Sequence, residues 1–108
     1  MSLSQQHCVP CEGGVEPLNT EEVSKLISQV SDWELSSTNT VISKQFKFPD
    51  FKSALSFVNK VGDIAESEGH HPDITLSWGK VEIALTTHAI KGLSTNDFVL
   101  ASKIDALI

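Results

Sequence analysis

The sequence predicts an α+β domain, three helices packed on one face of a four-stranded antiparallel sheet made of two hairpins, in the order α-β-β-α-β-β-α. Two observations carry this. Apolar and polar residues alternate with a period of two along 41–48 and again on both sides of Gly79, the pattern of half-buried strands. Three other segments place apolar residues at helical spacing, each opened by small polar or acidic residues that cap helices. At 108 residues the chain can bury one core and is short for two domains of ordinary size.

Residues 1–17 read as an N-terminal arm or tail, with Pro10, Gly13, Gly14 and Pro17 making an irregular lead-in, so the domain is expected to occupy 18–108. Asn19-Thr20-Glu21-Glu22 opens a first helix in which Val23, Leu26, Ile27 and Val30 recur at helical spacing, running to about Val30. Trp33-Glu34-Leu35 suits a short strand and Ser36-Ser37-Thr38-Asn39 a turn. From Val41 to Phe48, Ile42, Phe46 and Phe48 fall on one side and Ser43, Gln45 and Lys47 on the other. Pro49-Asp50 opens the longest helix, whose apolar stripe is read as Phe51, Leu55, Val58, Val61 or Gly62, and Ala65.

Gly69 weakens that helix, and Pro72 biases His71 toward extended backbone, so the pair His70-His71 stands where a helix hands over to a strand. Ile74, Leu76 and Trp78 alternate with polar neighbours, Gly79-Lys80 turns the chain, and Val81, Ile83 and Leu85 alternate with Glu82, Ala84 and Thr86. Continuing the same period puts His88 at the strand's end on its less apolar side. Ser94-Thr95-Asn96-Asp97 reads as a capping box, followed by a helix with Phe98, Ala101, Ile104 or Ala106, and Leu107 on its apolar face.

Composition narrows the function classes. The net charge of −6 and scattered lysines disfavour direct binding to nucleic-acid phosphate. No apolar run approaches the roughly 20 residues that cross a bilayer, and the polar start lacks a signal peptide's apolar centre, so the expected compartment is the cytoplasm. Cys8 and Cys11 form a C-x-x-C beside His7 without a second pair, half of a zinc site at best, and the plainer reading is a mobile segment with two thiols.

Three of the four histidines gather at His70, His71 and His88, with Glu66 and Asp97 flanking them. Imidazoles move protons near neutral pH, and residues converging from separate elements are what an active site requires. Glu66 lies four residues before His70, so a helix persisting through Gly69 brings the carboxylate alongside that imidazole. Asp97 has a simpler reading as a helix cap, which does not exclude a second role. Trp33 and Trp78 read as core or sheet-packing residues. Metal binding competes for His70, His71, His88 and Glu66, but adjacent histidines rarely reach one ion and no H-E-x-x-H is present. These residues alone indicate a proton-transfer or small-molecule site.

Glu66-x-x-x-His70-His71-Pro72, Thr86-Thr87-His88 and Gly92-Leu93-Ser94-x-x-Asp97 with Ala101 together resemble the pterin-4a-carbinolamine dehydratases, from about Leu18 to Leu107. Trp33 falls where that family commonly has a tryptophan. The resemblance implies dehydration of a 4a-hydroxytetrahydropterin, such as 4a-hydroxytetrahydrobiopterin, to the quinonoid dihydropterin in tetrahydropterin recycling. It implies His70 and His88 as acid and base in either order, His71 as a positioning group, Glu66 supporting His70, and Asp97 completing the polar ring. Gly69, His70, His71, Thr86, Thr87 and His88 are the implied substrate contacts. No cofactor or metal is expected, the pterin being substrate. Members form homodimers or homotetramers, so a homo-oligomer is expected, without nucleic acid or membrane. Some animal members also bind a homeodomain transcription factor, and a non-catalytic assembly or transcription cofactor of this fold is the alternative reading.

Overall fold

The computed structural model describes residues 3–8 and 16–108. Helix α1 spans Thr20–Ile27, strands β1 and β2 Glu34–Leu35 and Ile42–Lys47, and helix α2 Phe51–Glu68. Strands β3 and β4 span Asp73–Ser77 and Lys80–Leu85, and helix α3 Thr95–Asp105. The sheet order is β1-β2-β4-β3 with every pairing antiparallel, so the two hairpins meet along β2 and β4 and their short strands form the edges. This is the predicted α+β fold.

Alternation sets the two faces of the sheet. Ile42 and Phe46 of β2 and Val81, Ile83 and Leu85 of β4 are buried together with the helices, while Gln45 and Glu82 pair across the other face at 3.1 Å. Lys44, on the inner side by parity, escapes burial of a bare charge by reaching Asp105 at 2.8 Å with its ammonium 4.9 Å from the Phe46 ring centroid. Asp105 also accepts from the Trp33 indole at 3.1 Å and the Ser31 amide at 3.1 Å, tying the end of α3 to the entrance of the first hairpin. Trp33 is thus core, as expected.

Several elements differ from their sequence readings. Helix α1 stops at Ile27, where the Ser28 hydroxyl turns back to the Lys25 carbonyl. Helix α2 buries Ala54, Phe57, Val61 and Ala65, whereas Phe51 and Leu55 of the expected stripe are 43% and 40% exposed. The cause is aromatic packing: Phe57 lies 4.7 Å from Phe46 and 5.1 Å from Phe48 by ring centroids, which fixes the roll of the helix about its axis. Trp78, expected to pack, sits at the β3–β4 turn and is 68% exposed. Helix α3 is buried from Asn96 through Ala101 and at Ile104, so it is a core element rather than a one-sided surface helix.

The segment read as an arm or tail lies against the domain where it is described. Leu3, in a short 3-10 turn over Leu3–Gln5, is 5% exposed within the core and packs beside α3. Lys103 of α3 donates to the Ser4 carbonyl at 2.9 Å. The readings placed on Pro10, Cys11, Gly13 and Gly14 lie outside the described residues.

Candidate active site

Four pieces of chain converge on one cleft of about 490 Å³: the end of α2, the turn after β4, the first turn of α3 and the N-terminal segment at Cys8. That size suits a small-molecule ligand. Gly69 makes the first piece possible. It caps α2 in the left-handed region at φ 65°, a conformation that other residues adopt at a cost of about 1–2 kcal/mol. The reversal turns His70 off the helix axis.

His70 therefore meets a different carboxylate from the one its helical spacing suggests. Its Nε2 lies 2.6 Å from Asp97 Oδ1, and Glu66 instead pairs with His71 at 2.5 Å. The two pairs differ in environment. Asp97 has no exposed surface and the His70 side chain is 12% exposed, whereas the His71 and Glu66 side chains are 60% and 78% exposed. Glu66 thus stands beside His71 rather than His70, in an exposed pair of the kind that contributes little to stability.

Asp97 serves as both cap and anchor. It is the third residue of α3, and its Oδ2 accepts from the Ser94 amide at 3.0 Å, which holds the carboxylate at the positive end of the helix. The same oxygen accepts from the Thr87 hydroxyl at 2.8 Å. An ionised carboxylate only accepts; facing one, a neutral His70 ring donates from Nε2 to Oδ1 and keeps its lone pair on Nδ1. Asp97 itself does not line the cleft; it acts on the cleft through His70.

After β4 the chain closes a small loop through the Thr87–Gly92 bridge, with a 3-10 turn over His88–Ile90. His88 therefore opens a turn rather than ending a strand, because β4 stops at Leu85 and Lys91 takes a left-handed conformation at φ 54°. The His88 side chain is exposed and lines the cleft. Thr86 and Thr87 line it as well, but their hydroxyls are engaged elsewhere: Thr86 donates to the Thr40 carbonyl at 2.6 Å, and Thr87 to Asp97.

Sequence reasoning missed Cys8, Glu68, Ala89 and Asn96 as lining residues. Glu68 is the most constrained of them. Its side chain is 7% exposed, Oε1 accepts from the Cys8 amide at 2.7 Å, and Oε2 lies 3.0 Å from His7 Nδ1 and 3.9 Å from Lys103 Nζ. The Cys8 amide bond, chiefly, holds the Glu68 carboxyl below its ordinary value of 4.5; His7 and Lys103 act in the same direction and burial opposes them. Because the folded value is lowered, the stabilisation is present above 4.5 and is lost as pH falls through the folded value. The Cys8 amide proton resonance should accordingly titrate with a midpoint below 4.5, and a resonance insensitive to acid would contradict the bond.

The family model described as Pterin 4 alpha carbinolamine dehydratase matches residues 16–107. A protein of Halorhodospira halophila provisionally named pterin-4-alpha-carbinolamine dehydratase is 49% identical, covering 99% of this chain and 98% of its own. One of the same provisional name from Methylococcus capsulatus is 46% identical over 98% of this chain and 93% of its own. Among solved structures, a transcriptional coactivator/pterin dehydratase from Brucella melitensis superposes with a TM-score of 0.81 at 27% identity, covering 85% of this chain and 98% of that one. The chain belongs to the pterin 4 alpha carbinolamine dehydratase family, a family of hydro-lyases.

Proposed function

We propose that the chain eliminates water from a 4a-hydroxytetrahydropterin to give the quinonoid dihydropterin, with His70 as the proton acceptor and His88 as the donor. One observation carries the assignment: His70 is tied by Nε2 to a fully buried carboxylate while its other nitrogen stays available. Dehydration requires one proton delivered to the departing hydroxyl and one taken from the ring nitrogen, since hydroxide is a poor leaving group. Asp97 holds His70 in one tautomer and stabilises the imidazolium that forms when His70 takes a proton. His88, lining the same cleft and exposed to solvent, can protonate the hydroxyl and be reprotonated from water. His71, fixed by Glu66 at the rim, orients the substrate.

The reading treats the pterin as substrate and assigns no resident cofactor or metal. Among the described residues no helix is long and apolar enough to cross a membrane, which accords with a role on a small dissolved molecule in the cytoplasm. The test is the dehydration rate of a chemically generated 4a-hydroxytetrahydropterin at neutral pH. Acceleration over buffer supports the reading. No acceleration by folded protein would overturn it and favour a non-catalytic cofactor, in line with the Brucella protein's name of transcriptional coactivator/pterin dehydratase.

The same reading includes a homo-oligomer. Phe51 and Leu55 stand exposed one turn apart on α2, where a second copy of the helix can cover them. Light scattering is expected to give a mass of two or more chains, and Phe51→Asp with Leu55→Asp to lower it. A monomeric wild type would refute the expectation.

A further inference from the structure

We infer that the arm of residues 3–8 closes one side of the pterin cleft through Cys8 and that Glu68 is the positioning residue that clasps the arm there, so that substrate affinity depends on a carboxylate acting through the arm. The inference rests on the dehydratase reading. Cys8 lines the cleft, and its Sγ lies 3.6 Å from the Asn96 carbonyl, over the α3 turn that presents Asp97. The clasp comes from the opposite side, where Glu68 ends α2 immediately before Gly69 and His70.

Both Glu68 oxygens are taken up by the arm and α3, through the Cys8 amide, His7 and Lys103, so the carboxylate is poorly placed to bind substrate itself. Lys103 bonds the arm independently through the Ser4 carbonyl, and Leu3 is buried beside α3. The arm thus has an apolar foot, a central tie and a charged clasp at the cleft. Loosening the clasp opens one side of the cleft while leaving His70, Asp97 and His88 in place, which separates binding from proton transfer.

Two measurements test this, both on the 108-residue chain. In the wild type, 7,8-dihydrobiopterin, which lacks the 4a-hydroxyl and cannot dehydrate, is expected to slow amide exchange across residues 3–8. In Glu68→Ala, exchange there is expected to quicken without ligand, and KM to rise about tenfold, the scale of one charge-assisted hydrogen bond, with kcat changed much less. Glu68→Gln, which keeps an oxygen for the Cys8 amide but loses the charge, should fall between. A quickened arm with unchanged KM would overturn the inference, as would an arm whose exchange ignores either the pterin or the substitution. Wild-type protein that neither binds nor turns over a pterin would instead remove the dehydratase reading, and this one with it. If Glu68→Ala does not fold, protection in the wild type and the Gln variant still decide the matter.

Discussion

His70→Ala is expected to slow dehydration by about 10²–10⁴-fold, the range for losing a positioned acid or base, while far-ultraviolet circular dichroism stays that of the wild type. The protein should fold because Asp97 keeps two of its donors, the Ser94 amide and the Thr87 hydroxyl. It should also be less stable, since a fully buried carboxylate loses the donor on its other oxygen, a loss of about 1–3 kcal/mol. Denaturant titration alongside the rate measurement separates the two effects. His71→Ala is the internal control: its ring is 60% exposed and paired only with exposed Glu66, so a much smaller rate effect is expected. A His70→Ala enzyme within threefold of wild type would remove His70 from the chemistry.

The fold was legible where local pattern and tertiary demand coincide. Strands β2 and β4 follow from alternation, because a strand with one buried face has no other way to write itself, whereas the two exposed residues of β1 were placed by the turn that precedes β2. The Ser94-to-Asp97 spacing announced the start of α3 because a cap is local chemistry. Partners set by long-range packing were not legible. Gly69 appeared as a helix weakener, but its left-handed φ decides that His70 pairs with Asp97, 27 residues on, rather than with Glu66. The roll of α2 depends on an aromatic cluster shared with β2, so Phe51 and Leu55 were placed on the wrong face. His88 kept its place at the site although the strand it was assigned to had already ended. Cys8 and Glu68, 60 positions apart, carry no periodic signal linking them.

Asp97 offers the sharper test of how the site is built, because two substitutions should separate its electrostatic role from its structural one. In Asp97→Ala, the Ser94 amide, the Thr87 hydroxyl and the His70 ring all lose their buried acceptor, and stability should fall by about 3–5 kcal/mol, the size of breaking a buried charged network. Asp97→Asn keeps the shape but has only one accepting oxygen for both sides. If that oxygen stays with the Ser94 amide, the new NH₂ group faces His70 Nε2 and forces the imidazole proton onto Nδ1, the nitrogen assigned to take a proton from the pterin. Activity should then fall by about 10²–10⁴-fold in a protein that loses much less stability than the alanine variant. Nitrogen-15 shifts of the His70 ring report the tautomer directly. An asparagine variant that keeps the proton on Nε2 and loses activity would point to the carboxylate's charge, and one that keeps both tautomer and rate would show that Asp97 only caps α3.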